Sequence, residues 1–124
     1  MNLKESLQAI RDLLDVNTAG VTDTDSIANH AQDLAAMIGL SAECKAEAKR
    51  KMEEARIIAL KALIGDKKVT PSILLKMADG AICEEIKVYE YSDRLNAGIT
   101  HKLDLLRSII SLRKTELEIS IIQS

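Results

Sequence analysis

The chain has 124 residues, the length of one ordinary domain, and a net charge of -2. With no Phe, no Trp and two Tyr, its core must be aliphatic, and without a surplus of Lys and Arg it does not fit a general binder of nucleic acid or acidic membrane. No apolar run reaches the roughly 18 residues of a membrane span, and residues 1–5 lack the regions of a signal peptide, so a soluble, cytoplasmic protein is expected.

Asn2 followed by Glu5 has the spacing of a capping box, and Leu3, Leu7, Ile10 and Leu14 fall on one stripe, which predicts a first helix over residues 3–16. Residues 17–25 are rich in Thr, Asp and Gly and read as a loop. Asp23-Thr24-Asp25-Ser26 offers several caps for a second helix with the seam Ile27, Ala31, Leu34 and Ile38, and Gly39 suits the left-handed position that would end it.

Ser41 is the next cap, for a third helix that runs to about Ile64 and stops at Gly65-Asp66. Its seam of Cys44, Ala48, Met52, Ala55, Ala59 and Ala62 is small. Small side chains let backbones approach, so tight antiparallel pairing with the following helix is expected across a turn over residues 65–69. Cys44 and Cys83 have no CxxC spacing and read as buried, reduced thiols.

Thr70-Pro71 is a start signal, since proline at the first helical position has no hydrogen bond to lose. From there helical spacing continues to Ile122. An essentially continuous helix is expected, in which Gly80 and Gly98 are the places where a kink, a close contact or a break into shorter helices would fall. One near-heptad row runs Ile99, Leu103, Leu106, Ile110, Leu117, and a second row, Leu105, Ile109, Leu112, Ile119, Ile122, lies beside it. Together they cover more than half of the helix circumference, more than one neighbouring helix can hide.

With so few residues to supply cover, the first row, Ile99, Leu103, Leu106, Ile110 and Leu117, is expected in a coiled-coil interface between copies of the chain. The expected architecture is all-α and a single domain over residues 1–124: a bundle of three shorter helices and one long C-terminal helix, assembled as a homo-oligomer.

No chemistry-bearing constellation stands out. His30 invites comparison with histidine phosphotransfer domains, but Asp33 and Leu34 stand where those need a supporting lysine and a glycine. Glu53-Glu54 and Glu84-Glu85 are adjacent pairs whose side chains diverge by about 100° on a helix, so no metal site is expected. No phosphate loop or nucleophile motif is present, and neither catalysis nor a cofactor is expected.

Two other patterns carry candidates. Basic residues on the third helix, Lys45, Lys49 and Arg56 among them, form a candidate nucleic-acid face, although no aromatic residue is interleaved for stacking. In the long seam, Tyr89, Ser92 and Asn96 replace apolar residues between Ile86 and Ile99. Polar groups in a helical seam fix register or meet a ligand, so Tyr89, Arg94, Asn96 and His101 are the candidate lining of a site for a small anionic ligand or a partner.

The segment from Arg94-Leu95-Asn96-Ala97-Gly98 through Arg113-Lys114-Thr115-Glu116-Leu117 resembles the C-terminal helix of small helical accessory proteins encoded by tailed phages and prophages. The resemblance covers the last third of the chain. It implies a setting, the host cytoplasm, and a purpose, binding of a host or defence component, but no residue roles. The function expected is therefore a non-enzymatic interaction protein, with a nucleotide-like ligand binder and a nucleic-acid-associated factor as alternatives.

Overall fold

A computed structural model of the chain describes residues 1–18, 20, 23–65 and 69–123. Among them are four helices, α1 (Leu3–Leu14), α2 (Thr24–Leu63), α3 (Pro71–Ala81) and α4 (Cys83–Gln123), and no strand. A helical bundle is the fold, as expected, with two long helices instead of one.

α1 begins as its sequence dictates. The Asn2 side chain accepts from the Glu5 backbone N–H at 2.8 Å, and Glu5 accepts in return from the Asn2 N–H at 3.3 Å, which satisfies two of the free N–H groups at the helix start. The other end is held from a distance: Lys102 Nζ on α4 donates to the Leu14 carbonyl at 2.7 Å and the Val16 carbonyl at 2.6 Å. A cation on the last carbonyls of a helix also suits its dipole. Burial pushes the Lys102 ammonium below its ordinary value, against the pull of Asp15.

α2 overturns the expected stop at Gly39. It runs unbroken for 40 residues from its cap, where Asp23 accepts from the Asp25 N–H at 3.0 Å and the Ser26 hydroxyl at 2.7 Å. The seams on either side of Gly39 share one phase, Ile27, Ala31, Leu34, then Ser41, Cys44, Ala48 and Met52, all buried. Continuous packing along α4 outweighs the roughly 1 kcal/mol that a mid-helix glycine costs. Ser41 caps nothing; it lies buried in the seam.

α3 starts at Pro71 as expected, but Thr70 makes no side-chain cap bond. The long C-terminal stretch is broken once, at Ile82, whose backbone (φ -113, ψ 26) leaves helical geometry two residues after Gly80. Gly98 lies inside α4 without a break. A Cβ there would sit 3.4 Å from the Leu14 side chain, so Gly98 is the place where α1 comes close. The expected 65–69 turn lies partly outside the described residues, since 66–68 are not among them; the same holds for the 17–25 loop at 19, 21 and 22.

α2 and α4 pair antiparallel, with Ser41 opposite Asn96 and Lys45 opposite Asp93. α1 lies on that pair and completes a three-helix core of Leu7, Ile10, Ile27, Leu34, Leu95, Ile99, Leu103 and Leu106. The core is aliphatic, as the composition requires. Cys44 is buried beside it, where burial pushes its thiol up, whereas Cys83 is exposed at the first turn of α4, contrary to expectation; both are free. The small seam on α2 is buried at Cys44, Ala48 and Met52 and opens at Ala62.

Candidate interaction surfaces

The polar interruption in the α4 seam closes on itself. Ser92 is buried and its hydroxyl donates to the Val88 carbonyl at 2.8 Å. The Ser41 hydroxyl donates to Asn96 Oδ1 at 3.1 Å, and Lys45 meets Asp93 at 2.8 Å. A part-buried hydroxyl–amide pair beside an exposed ion pair favours this register of α2 on α4, since the buried Ser41 hydroxyl would lose its partner in another.

The four residues expected to line a ligand site are not brought together. Tyr89 and Asn96, seven residues apart, lie half-buried on the packed side of α4, while Arg94 and His101 are exposed. At about 100° per residue, Arg94 and His101 point some 120–140° away from Tyr89. The four side chains form no common lining.

The basic face is largely neutralised where it stands. Lys45 is held by Asp93, whose hydrogen bond raises the lysine's pKa, and Arg56 Nε meets Asp79 on α3 at 3.0 Å. Arg50 and Lys51 pair with Glu54 and Glu47 on their own helix at 2.8 and 3.4 Å. Lys49 is exposed. Interspersed acids leave no basic stripe of the kind that tracks a phosphate backbone.

The interface residues divide. Ile99, Leu103 and Leu106 are 1%, 3% and 0% exposed inside the chain's own core, because α2 folds back along them and α1 covers the remaining side. They cannot serve an oligomer. Ile110 is half-buried against that core, and Leu117, near the start of α2, is 62% exposed. What α2 and α1 leave uncovered is the second row: Leu105, Leu112, Ile119 and Ile122 are all exposed.

No protein-family model, characterised protein or solved structure matches this chain. Its surfaces therefore speak through their chemistry alone.

A second apolar surface lies at the opposite end of the hairpin. Ile57, Ile58 and Ile64 on and just after α2, and Ile73, Leu75 and Met77 on α3, are all exposed. α3 buries Ala78, with Ile82 buried just after it, yet carries apolar residues around most of its circumference, which is the pattern of a helix meant to be covered on more than one side. The run 57–64 is visibly apolar in the sequence; that none of the described residues covers its exposed isoleucines is visible only in the fold.

Between these ends, the first turns of α1 meet α2 and α4 at a half-open groove of about 690 Å³. Leu3, Leu7, Ala48, Val88 and Tyr91 line it, with Lys51 and Glu84 among its charged neighbours. His30 is the other unusual polar group: it is 7% exposed, and its Nε2 has no hydrogen-bond partner. Burial pushes its pKa down, the Lys102 charge adds to the effect, and Asp33 opposes both. A histidine so enclosed is not available for phosphotransfer. Among the described residues no three His, Cys, Asp or Glu converge as metal ligands, and no helix is long and apolar enough to cross a membrane.

Proposed function

We propose that the chain is a non-enzymatic interaction protein that associates with itself and binds another macromolecule through the apolar ends of its helical hairpin. In the phage setting that its last third resembles, the bound component belongs to the host or its defences. The observation that carries the reading is the pair of uncovered apolar surfaces, one on α4 from Leu105 to Ile122 and one on α2 and α3 from Ile57 to Met77. Scattered exposed apolar residues are ordinary, but contiguous patches mark interaction sites.

The two alternatives lose their residues. A small anionic ligand has no lining once Arg94 and His101 point away from Tyr89, and a nucleic-acid face has lost Lys45 and Arg56 to Asp93 and Asp79. Light scattering of the purified chain across a wide concentration range tests self-association. The mass is expected to rise above that of one chain as concentration increases, and to stay at one chain for Leu112→Glu. A parent chain that remains monomeric at all concentrations overturns the self-association.

A further inference from the structure

One buried titratable group takes no part in the surfaces above. His30 lies in the α2 seam between Ile27 and Leu34, 7% exposed, and its Nε2 has no hydrogen-bond partner among the described residues. A neutral imidazole can keep its single proton on Nδ1 and leave Nε2 bare among aliphatic neighbours. An imidazolium must carry a proton on Nε2 as well. Here that proton meets no acceptor, and the charge is enclosed with it.

The charges around the ring bind it to α1. Asp33, exposed on its own helix, favours the second proton, whereas Lys102 on α4 opposes it. At the end of α1, Asp15 acts on Lys102. Lys102 is also the ammonium that donates to the Leu14 and Val16 carbonyls, so one side chain both bears on His30 and holds the last turn of α1. With 12 residues, α1 is too short to stand as a helix alone, and it rests on the rest of the core through Leu7 and Ile10. α2 and α4, at 40 and 41 residues, are paired with each other. α1 is therefore the element that yields first at this joint.

We propose that protonation of His30 detaches α1 from the α2–α4 pair. The imidazolium repels the Lys102 ammonium, whose flexible stem swings to water and gives up the Leu14 and Val16 carbonyls. The end of α1 lifts, water reaches His30, and the core is opened on the side that α1 had closed. α1 is then an acid-released strap. The inference concerns a joint inside one chain and stands apart from the interaction role above.

The direction follows from linkage. With α1 in place, burial first and Lys102 second make His30 hold its proton less readily than an exposed imidazole, with Asp33 opposing both. Attachment is complete above about pH 6.5 and weakens as the pH falls toward the closed-state value, by at most about tenfold in the opening equilibrium per pH unit for one proton.

Amide exchange of the full chain, read as protection factors from neutral to mildly acidic solution, tests this. Protection over Leu3–Leu14 is expected to fall severalfold per pH unit below about pH 6.5 while the middle of α4 keeps its own. His30→Gln, which cannot take up the proton, should make α1 insensitive to pH. His101→Gln, at the other and exposed histidine, should behave as the parent. Protection in α1 that does not change with pH overturns the proposal, as does pH dependence that survives in His30→Gln. Loss of protection in α1, α2 and α4 together means global unfolding and overturns it equally. NMR of the parent alone gives a second reading: the His30 ring signal should titrate together with the α1 amide signals, and a His30 that titrates while α1 stays unchanged refutes the coupling.

Discussion

The two apolar rows on α4 make opposite predictions for the same substitution. Leu106 is fully buried in the three-helix core, and Leu112, six residues on, is 59% exposed. Leu106→Ala deletes core atoms and leaves a cavity, a change that costs about 2–5 kcal/mol. At a urea dependence of about 2 kcal/mol per molar, a loss of about 3 kcal/mol lowers the unfolding midpoint by roughly 1.5 M. Leu112→Ala removes a side chain that is mostly in water, so the single chain changes by no more than about 0.5 kcal/mol.

The proposed self-association responds differently. If the exposed part of Leu112 becomes buried between two copies, each contributes about 1–2 kcal/mol, together about 2–4 kcal/mol, or some 30- to 800-fold in the dissociation constant. Urea unfolding at two widely separated protein concentrations separates the cases. The Leu106→Ala midpoint falls at both concentrations. Leu112→Ala matches the parent at low concentration and loses the parent's gain at high concentration. Leu112→Ala falling as far as Leu106→Ala in dilute protein would refute the division of α4 into an inner and an outer row.

Three further outcomes follow from single groups. Gly39→Ala should stabilise the chain by about 0.5–1 kcal/mol, because α2 is continuous there and an added Cβ meets nothing within 4 Å; a lower midpoint means that α2 ends at this glycine after all. Lys102→Met removes both bonds to the end of α1 and should cost about 1 kcal/mol after the ammonium's burial is relieved, with faster amide exchange confined to α1; unchanged exchange in α1 contradicts the clamp. His30 has a folded-state pKa below its ordinary value, so the unfolded chain takes up the proton first. The stability from its neutral form is complete above about pH 6.5 and is lost as the pH falls below that toward the folded-state value. His30→Leu should flatten the pH dependence of the unfolding midpoint between neutral and mildly acidic solution, and parallel curves for the two proteins exclude the effect.

Local chemistry was the legible part. The Asn2–Glu5 box, the start at Pro71, the aliphatic core and the small seam that lets α2 lie against α4 all follow from residue type and spacing. Gly39 followed by Ser41 carries every local sign of a stop and start, worth about 1 kcal/mol, and is overruled by packing along the whole of α4. The break at Ile82 has no breaker of its own, since the nearest glycine is two residues away. For the candidate site, the sequence shows that α4 has too much apolar circumference but not which part α1 and α2 take. They take Ile99, Leu103 and Leu106, and the neighbouring row remains. The polar gap read as a lining is register chemistry, because Asn96 already has its partner across the seam in Ser41.

The hairpin is also a strut. From Cys83 at its start to Leu112, α4 covers roughly 44 Å at 1.5 Å per residue. That length holds the exposed apolar residues of α3 and the outer row of α4 at opposite ends of the molecule. A partner bound at one end would leave the other unobstructed, at a separation set by helix length.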